Sequence, residues 1–143
     1  MKLDYGSGYN PKEGYKTSDF TGNPMLDYHI HDLRVNCQSE LFDEVHCRNV
    51  IHHVRPEKLP KLFEEFIRIL KVDGRLTLSD PSEDNFHSNK CLDVLWYRFV
   101  IPRPDIYIGN KYIDFKEHIP KNFRKTKEFR DHSNVVMIYR KLF

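Results

Sequence analysis

Lys2-Leu3-Asp4-Tyr5-Gly6-Ser7-Gly8 is the stretch on which the fold turns. A short apolar strand runs into two glycines one residue apart, and glycine, having no Cβ, lets the backbone bend sharply and lets a ligand approach it closely. Lys16-Thr17-Ser18-Asp19-Phe20 then reads as a second strand ending on a carboxylate, which can accept hydrogen bonds from both hydroxyls of a ribose. A dinucleotide dehydrogenase would add a third glycine and a helix N-terminus to hold a pyrophosphate. Here Gly8 is followed by Tyr9-Asn10-Pro11-Lys12-Glu13-Gly14, which leaves no room for a long helix. A nucleoside ligand without a pyrophosphate suits this loop better.

Working outward, a third strand is expected over Tyr28 to Asp32 and a fourth over the run Phe42-Asp43-Glu44-Val45-His46-Cys47-Arg48. The clearest helix covers residues 57–70. Leu59, Leu62, Phe63, Phe66, Ile67 and Leu70 recur at helical spacing, with Lys58, Lys61, Glu64, Glu65 and Arg68 on the other face. Pro60 is compatible with it only in the first turn, where the missing N–H costs nothing. Asp73-Gly74 is the expected turn into a fifth strand, Arg75 to Ser79. Near the C-terminus, Phe123 to Arg130 and Val135 to Phe143 read as strands separated by four residues, enough for a hairpin but not for a parallel crossover. That pair must be antiparallel.

The connections after the first and second strands are also too short for helical crossovers. An antiparallel meander would put Gly6, Asp19 and Asp32 at opposite edges of the sheet. Parallel strands with stripped connections keep all three at one edge, and this is the arrangement expected. Residues 33–41 are likewise too few for a third helix. A parallel sheet is normally covered on both faces, so the lost helices call for other cover. Either the aromatic segment from Asp105 to Phe115 or a second copy of the chain, forming a homodimer, would supply it. His87 to Val100 is expected to be a helix, Ile101-Pro102-Arg103-Pro104 a stiff break, and Asp105 to Asn122 a substrate lid or sheet cover.

The ordered set of elements resembles the S-adenosylmethionine-binding half of class I methyltransferases. The departure in the turn, Leu70-Lys71-Val72-Asp73-Gly74 where the family usually has Leu-Lys-Pro-Gly-Gly, keeps its chemistry. The resemblance implies an α/β, mostly parallel Rossmann-like sheet of order 3-2-1-4-5-7-6, with an antiparallel C-terminal hairpin and shortened N-terminal crossovers. It implies a single domain over residues 1–143 that binds S-adenosyl-L-methionine and passes its methyl group to an acceptor the sequence does not identify. Gly6, Ser7 and Gly8 would lie against the methionine portion, with Asp4 near its amino group. Asp19 would take the ribose, Asp32 the adenine amino group, and Leu33 would be an apolar wall. Arg48 and Asn49 would border the sulfonium. His52 is the candidate base for an acceptor carrying a proton, and Asp80 and Glu83 are candidates for substrate contact. A reading from another class is a degenerate member kept as a binding or assembly module without catalysis.

Composition bounds these readings. At 143 residues, 39% hydrophobic and 31% charged, the chain fits one globular domain. Neither a membrane-spanning run nor a signal-peptide pattern is present, so a soluble, cytoplasmic protein is expected. Cys37, Cys47 and Cys91 form no Cys-x-x-Cys pair, and His29-Ile30-His31-Asp32-Leu33 lacks the ligand run of a metal hydrolase. Buried thiols and no metal are expected. Residues 1–83 carry 11 Lys+Arg against 14 Asp+Glu, whereas residues 84–143 carry 12 against 7. Lysines guarding a strand edge account for that excess; an acidic substrate is the other reading, with nucleic acid the less favoured partner.

Overall fold

β1 (Lys2–Tyr5) is the strand around which the chain reverses. In the computed structural model, which describes residues 1–82 and 114–143, it pairs in parallel with β2 (Lys16–Asp19) on one side and with β5 (Phe42–Arg48) on the other. β3 (Tyr28–His31) continues in parallel beyond β2, and β6 (Leu70–Pro81) beyond β5. The hairpin of β7 (Phe123–Asp131) and β8 (Asn134–Lys141) adds antiparallel through β8 to β6. With the two-residue strand β4 (Arg34–Val35) at the far edge, the order is β4-β3-β2-β1-β5-β6-β8-β7. Setting β4 aside, this is the expected order 3-2-1-4-5-7-6.

The connections after β1 and β2 contain no helix, as their lengths require. Tight polar turns replace it. The Lys12 N–H donates to the Asp4 carboxylate at 2.8 Å, folding the first connection back over the end of β1. Thr17 and Asp27 exchange bonds of 2.9 and 3.0 Å across the second. Residues 33–41 form no helix either; they turn back as β4, antiparallel to β3.

The helix α1 (Leu59–Ile69) follows a 3₁₀ turn at Pro56–Lys58, with Pro60 in its first turn as anticipated. It buries Leu59, Leu62, Phe63, Phe66 and Ile69 in one core with Leu3, Tyr5, Val45, Cys47, Leu76 and Leu78. Each such side chain contributes roughly 1.5–3 kcal/mol of burial. Glu65 is the polar exception on this face. Its carboxylate accepts from the Val35 N–H at 2.9 Å and from the Arg68 guanidinium at 2.7 and 2.8 Å, while Arg68 donates to the Val35 and Cys37 carbonyls. The edge of the sheet is thereby clamped to α1. At the same, C-terminal end of α1, the buried Lys141 ammonium donates to the Ile67 and Leu70 carbonyls at 2.8 and 2.7 Å, a cation placed where the helix leaves its last acceptors open.

Two expectations change in detail. β6 begins already at Leu70, so Asp73-Gly74 is a bulge within the strand, opposite Phe42 to Glu44, and not a turn before it, with Asp73 in the left-handed region (φ 64). Gly74 is required for proximity instead, since a Cβ there would lie 2.7 Å from the Lys71 carbonyl oxygen. The second difference concerns the sheet face opposite α1, for which an apolar surface needing cover was expected. Strand register puts Lys2, Glu44 and Arg75 side by side there, with Asp4, His46 and Thr77 in the next row. Arg75 holds Glu44 at 2.6 Å, Lys2 lies at 3.5 Å, and the Tyr15 hydroxyl donates to Glu44 at 2.6 Å. On this part of the face, charge and hydrogen bonding stand where apolar packing was anticipated. The expected helix at His87 to Val100 and most of the expected lid fall outside the described residues; of the latter, Phe115 is buried in the core at the start of a 3₁₀ turn, Phe115–His118.

Two outcomes follow. Glu65→Ala removes the acceptor for the Val35 N–H and for Arg68 together and should cost about 3 kcal/mol in urea unfolding, against under about 0.5 for the exposed Glu64→Ala; equal effects would contradict the clamp. Burial alone would push the Glu44 carboxyl up, but Arg75, Tyr15 and Lys2 overcome it and hold it at about 2, against an ordinary 4.5. A lowered pKa stabilises the fold above the ordinary value and is lost as pH falls toward the lowered one. The melting temperature should therefore fall less steeply from pH 4.5 toward 2 in Glu44→Gln than in the wild type, and parallel profiles would refute this.

Candidate active site

All parallel strands end at one edge of the sheet, and the chain reverses its direction of travel across the sheet at β1. In open α/β sheets, ligands bind outside the carboxyl ends of the strands at such a reversal. Gly6, Ser7 and Gly8 lie here. Gly6 has φ +72, and a Cβ on it would come within 2.5 Å of Val50 Cγ2, so the loops after β1 and β5 touch at this point. Gly8 has φ +57, and a Cβ there would meet nothing within 4 Å. The loop is closed against protein at the first glycine and open at the second.

Ser7 stitches this loop to β2, its N–H and Oγ both donating to the Ser18 carbonyl at 2.8 and 3.1 Å. Ser18 Oγ in turn donates to the Asp4 carbonyl. Asp19 completes the cradle. Its Oδ2 accepts from the Gly8 N–H at 3.2 Å and its Oδ1 from the Phe20 N–H at 2.8 Å, which fixes the carboxylate beside the open glycine. Asp4 is buried beneath, bonded to the Lys12 N–H and 3.4 Å from His46 Nδ1.

His52 and Asp80, which sequence reasoning named separately, form a pair. The 3₁₀ turn Ile51–His53 after β5 brings His52 Nδ1 to 3.0 Å from Asp80 Oδ1 near the end of β6, with both side chains largely buried. With the carboxylate as acceptor, Nδ1 carries the proton and Nε2 is left as the basic nitrogen. The His53 ring lies against His52, centroids 3.8 Å apart. Burial, then the charges of Asp80 and Asp4, push the Cys47 thiol well above its ordinary pKa, so it stays protonated.

The remaining candidates divide. Arg48 and Asn49 are exposed at the end of β5, Asn49 in the left-handed region (φ 56). Asp32 also lies at this edge, but its carboxylate is engaged by Lys58 and Lys61 of the α1 segment, which hold its pKa below the ordinary range. Leu33 is in the core at 2% exposure, its carbonyl accepting from the Tyr5 hydroxyl at 2.9 Å. Glu83 lies outside the described residues. Sequence reasoning missed Asn134, which donates to Asn49 Oδ1 at 2.8 Å and Ser79 Oγ at 3.0 Å from the start of β8. The hairpin itself was the available signal, since an antiparallel β8 must begin where β6 ends. Among the described residues, no three His, Cys, Asp or Glu side chains converge as metal ligands, and no helix is long and apolar enough to cross a membrane.

A family model described as a methyltransferase domain matches residues 10–78, just under half of the chain, starting just after the glycine loop. Among curated proteins, no sequence matches. Among solved structures, 98% of the chain superposes on 81% of the PH0226 protein from Pyrococcus horikoshii OT3 with a TM-score of 0.68 at 14% identity. It is similar also to the Burkholderia thailandensis 1,6-didemethyltoxoflavin-N1-methyltransferase, whose structure contains 1,6-didemethyltoxoflavin and S-adenosylhomocysteine. There 99% of this chain covers 71% of that one, with a TM-score of 0.61 at 15% identity. At such identities the likeness is one of fold. The sheet order and these superpositions show a Rossmann-like α/β fold shared with a methyltransferase of known structure, and the methyltransferase-domain model matches this chain from β2 to most of β6.

Proposed function

We propose that this protein binds S-adenosyl-L-methionine at the Gly6–Gly8 loop and transfers its methyl group to an acceptor that remains to be identified. One observation carries the reading. The Asp19 carboxylate is held against the Gly8 N–H at the strand-order reversal, so a carboxylate able to take ribose hydroxyls and an open backbone loop share one edge. The residues fit the group on this ground. Gly8 leaves room for a ligand, and a carboxylate, with about four acceptor positions, can take ribose hydroxyls alongside its two backbone bonds.

When bound, the cofactor supplies an already activated methyl group. The protein's share is positioning, which by itself removes much of the barrier to an in-line displacement. The glycine loop would receive the amino-acid portion, with Asp4 fixing the loop from below through Lys12. Arg48 and Asn49 would stand beside the reacting centre. His52, oriented by Asp80, would take a proton at Nε2 from an acceptor that carries one. Asp32 and Leu33 contribute less to this site than the family resemblance implies, because lysines and the core already engage them. The helix-free connections favour the second reading, a binding module without catalysis.

Asp19 separates binding from mere fold. Asp19→Ala should weaken S-adenosylhomocysteine binding by roughly 1.5–3 kcal/mol in calorimetry while leaving the melting temperature near that of the wild type. Unchanged affinity would remove the ribose from Asp19. Binding by the wild type without methyl transfer to any acceptor class would favour the module.

A further inference from the structure

The sheet face opposite α1 carries a row of cations that the glycine-loop site does not use. Register aligns Arg75 on β6 with Arg140 on β8, and Arg140 with Arg124 on β7, so three arginines stand side by side across three strands. They span about two strand spacings, roughly 10 Å. All three are exposed. Like charges directly opposite one another destabilise a sheet. Arg75 is neutralised by Glu44 at 2.6 Å, but among the described residues neither Arg124 nor Arg140 makes an ion pair.

Protection of a sheet edge by cations explains only part of this. β7 is the edge strand, so its Lys125 and Lys127 serve that purpose. Arg140 and Arg75 lie on interior strands, where there is no edge to guard. On the same face of β7 as Arg124 are Lys127 and Phe129. The Phe129 ring is 40% exposed, with the Lys127 ammonium 5.1 Å from its centroid. Guanidinium groups in a row, a further ammonium and an exposed ring on a sheet surface form a platform of the kind that holds a single nucleic-acid strand, with cations on the phosphates and a base stacked on the ring.

We infer that this face binds the phosphodiester backbone of single-stranded nucleic acid through Arg124, Arg140 and Lys127, with Phe129 as a stacking platform. The inference is independent of methyl transfer, because it rests on the sheet face and not on the strand ends.

Fluorescence anisotropy of the full chain with labelled oligouridine and oligodeoxythymidine of about twenty nucleotides tests it, with salt varied from about 50 to 200 mM. Each phosphate contact to a single strand adds about −0.7 to the slope of log K against log salt, so the wild type should show a slope near −2. R124Q/R140Q should reduce that slope by about 1.4 and weaken binding roughly tenfold at the lower salt, with an unchanged or higher melting temperature because a like-charge pair has been relieved. K58Q/K61Q, near the α1 side of the sheet, should bind as the wild type does. Equal binding of both oligonucleotides assigns recognition to the backbone; tighter binding of oligouridine adds a 2′-hydroxyl contact at the same face. No salt-dependent binding by the wild type, an unaltered slope in R124Q/R140Q, or binding to phosphatidylserine vesicles but not to either oligonucleotide would overturn the inference.

Discussion

Parallel pairing of β1 on both of its sides is the constraint on which the rest of the structure depends. Four residues, Lys2–Tyr5, are in register with β2 through Leu3, Asp4 and Tyr5 and with β5 through all four. Leu3 and Tyr5 are fully buried against α1. The strand cannot slip by one residue without moving both out of the core and Asp4 into it. Because β1 is fixed, the glycines that follow it must emerge between the ends of β2 and β5. The position of the glycine loop beside Asp19 is a consequence of that register.

The chain keeps this arrangement without the helices that usually bridge the first strands. Asp4 with Lys12, Thr17 with Asp27, and Glu65 with Arg68 each tie down a connection by satisfying backbone groups directly. The Lys2–Glu44–Arg75 row with Tyr15 supplies polar cohesion on the face opposite α1. The ion pairs of that row are individually modest. The apolar core on the α1 side carries most of the stability, and the polar turns chiefly define where the strands end.

Periodicity and connection length made most of the fold legible. Leu62, Phe63 and Phe66 announce α1, and the four residues between the last two strands force the hairpin. The cradle was legible because Gly6, Gly8 and Asp19 each lie at the end of a strand. His52 and Asp80 were legible singly but not as a pair, since their contact depends on how the 3₁₀ turn after β5 leans toward β6. For Asp32 and Leu33 the sequence shows the place but not the partners. Their places at the strand end follow from sequence, whereas their partners, Lys58, Lys61 and the Tyr5 hydroxyl, come from tertiary packing. The polarity of the second face was visible only through strand register, which aligns Glu44 with Arg75 across residues distant in sequence.

The central claim is that a nucleoside cofactor occupies the strand-order reversal, and backbone amide shifts recorded by NMR during titration with S-adenosylhomocysteine test it most directly. The account predicts that the largest shifts map to Gly6, Ser7, Gly8, Asp19 and Phe20, with smaller ones at Asn49 and Asp80, and that the amides of β7 stay unmoved. No shifts at saturating ligand, or shifts centred on α1 and β7 instead of the ends of β1 and β2, would contradict it.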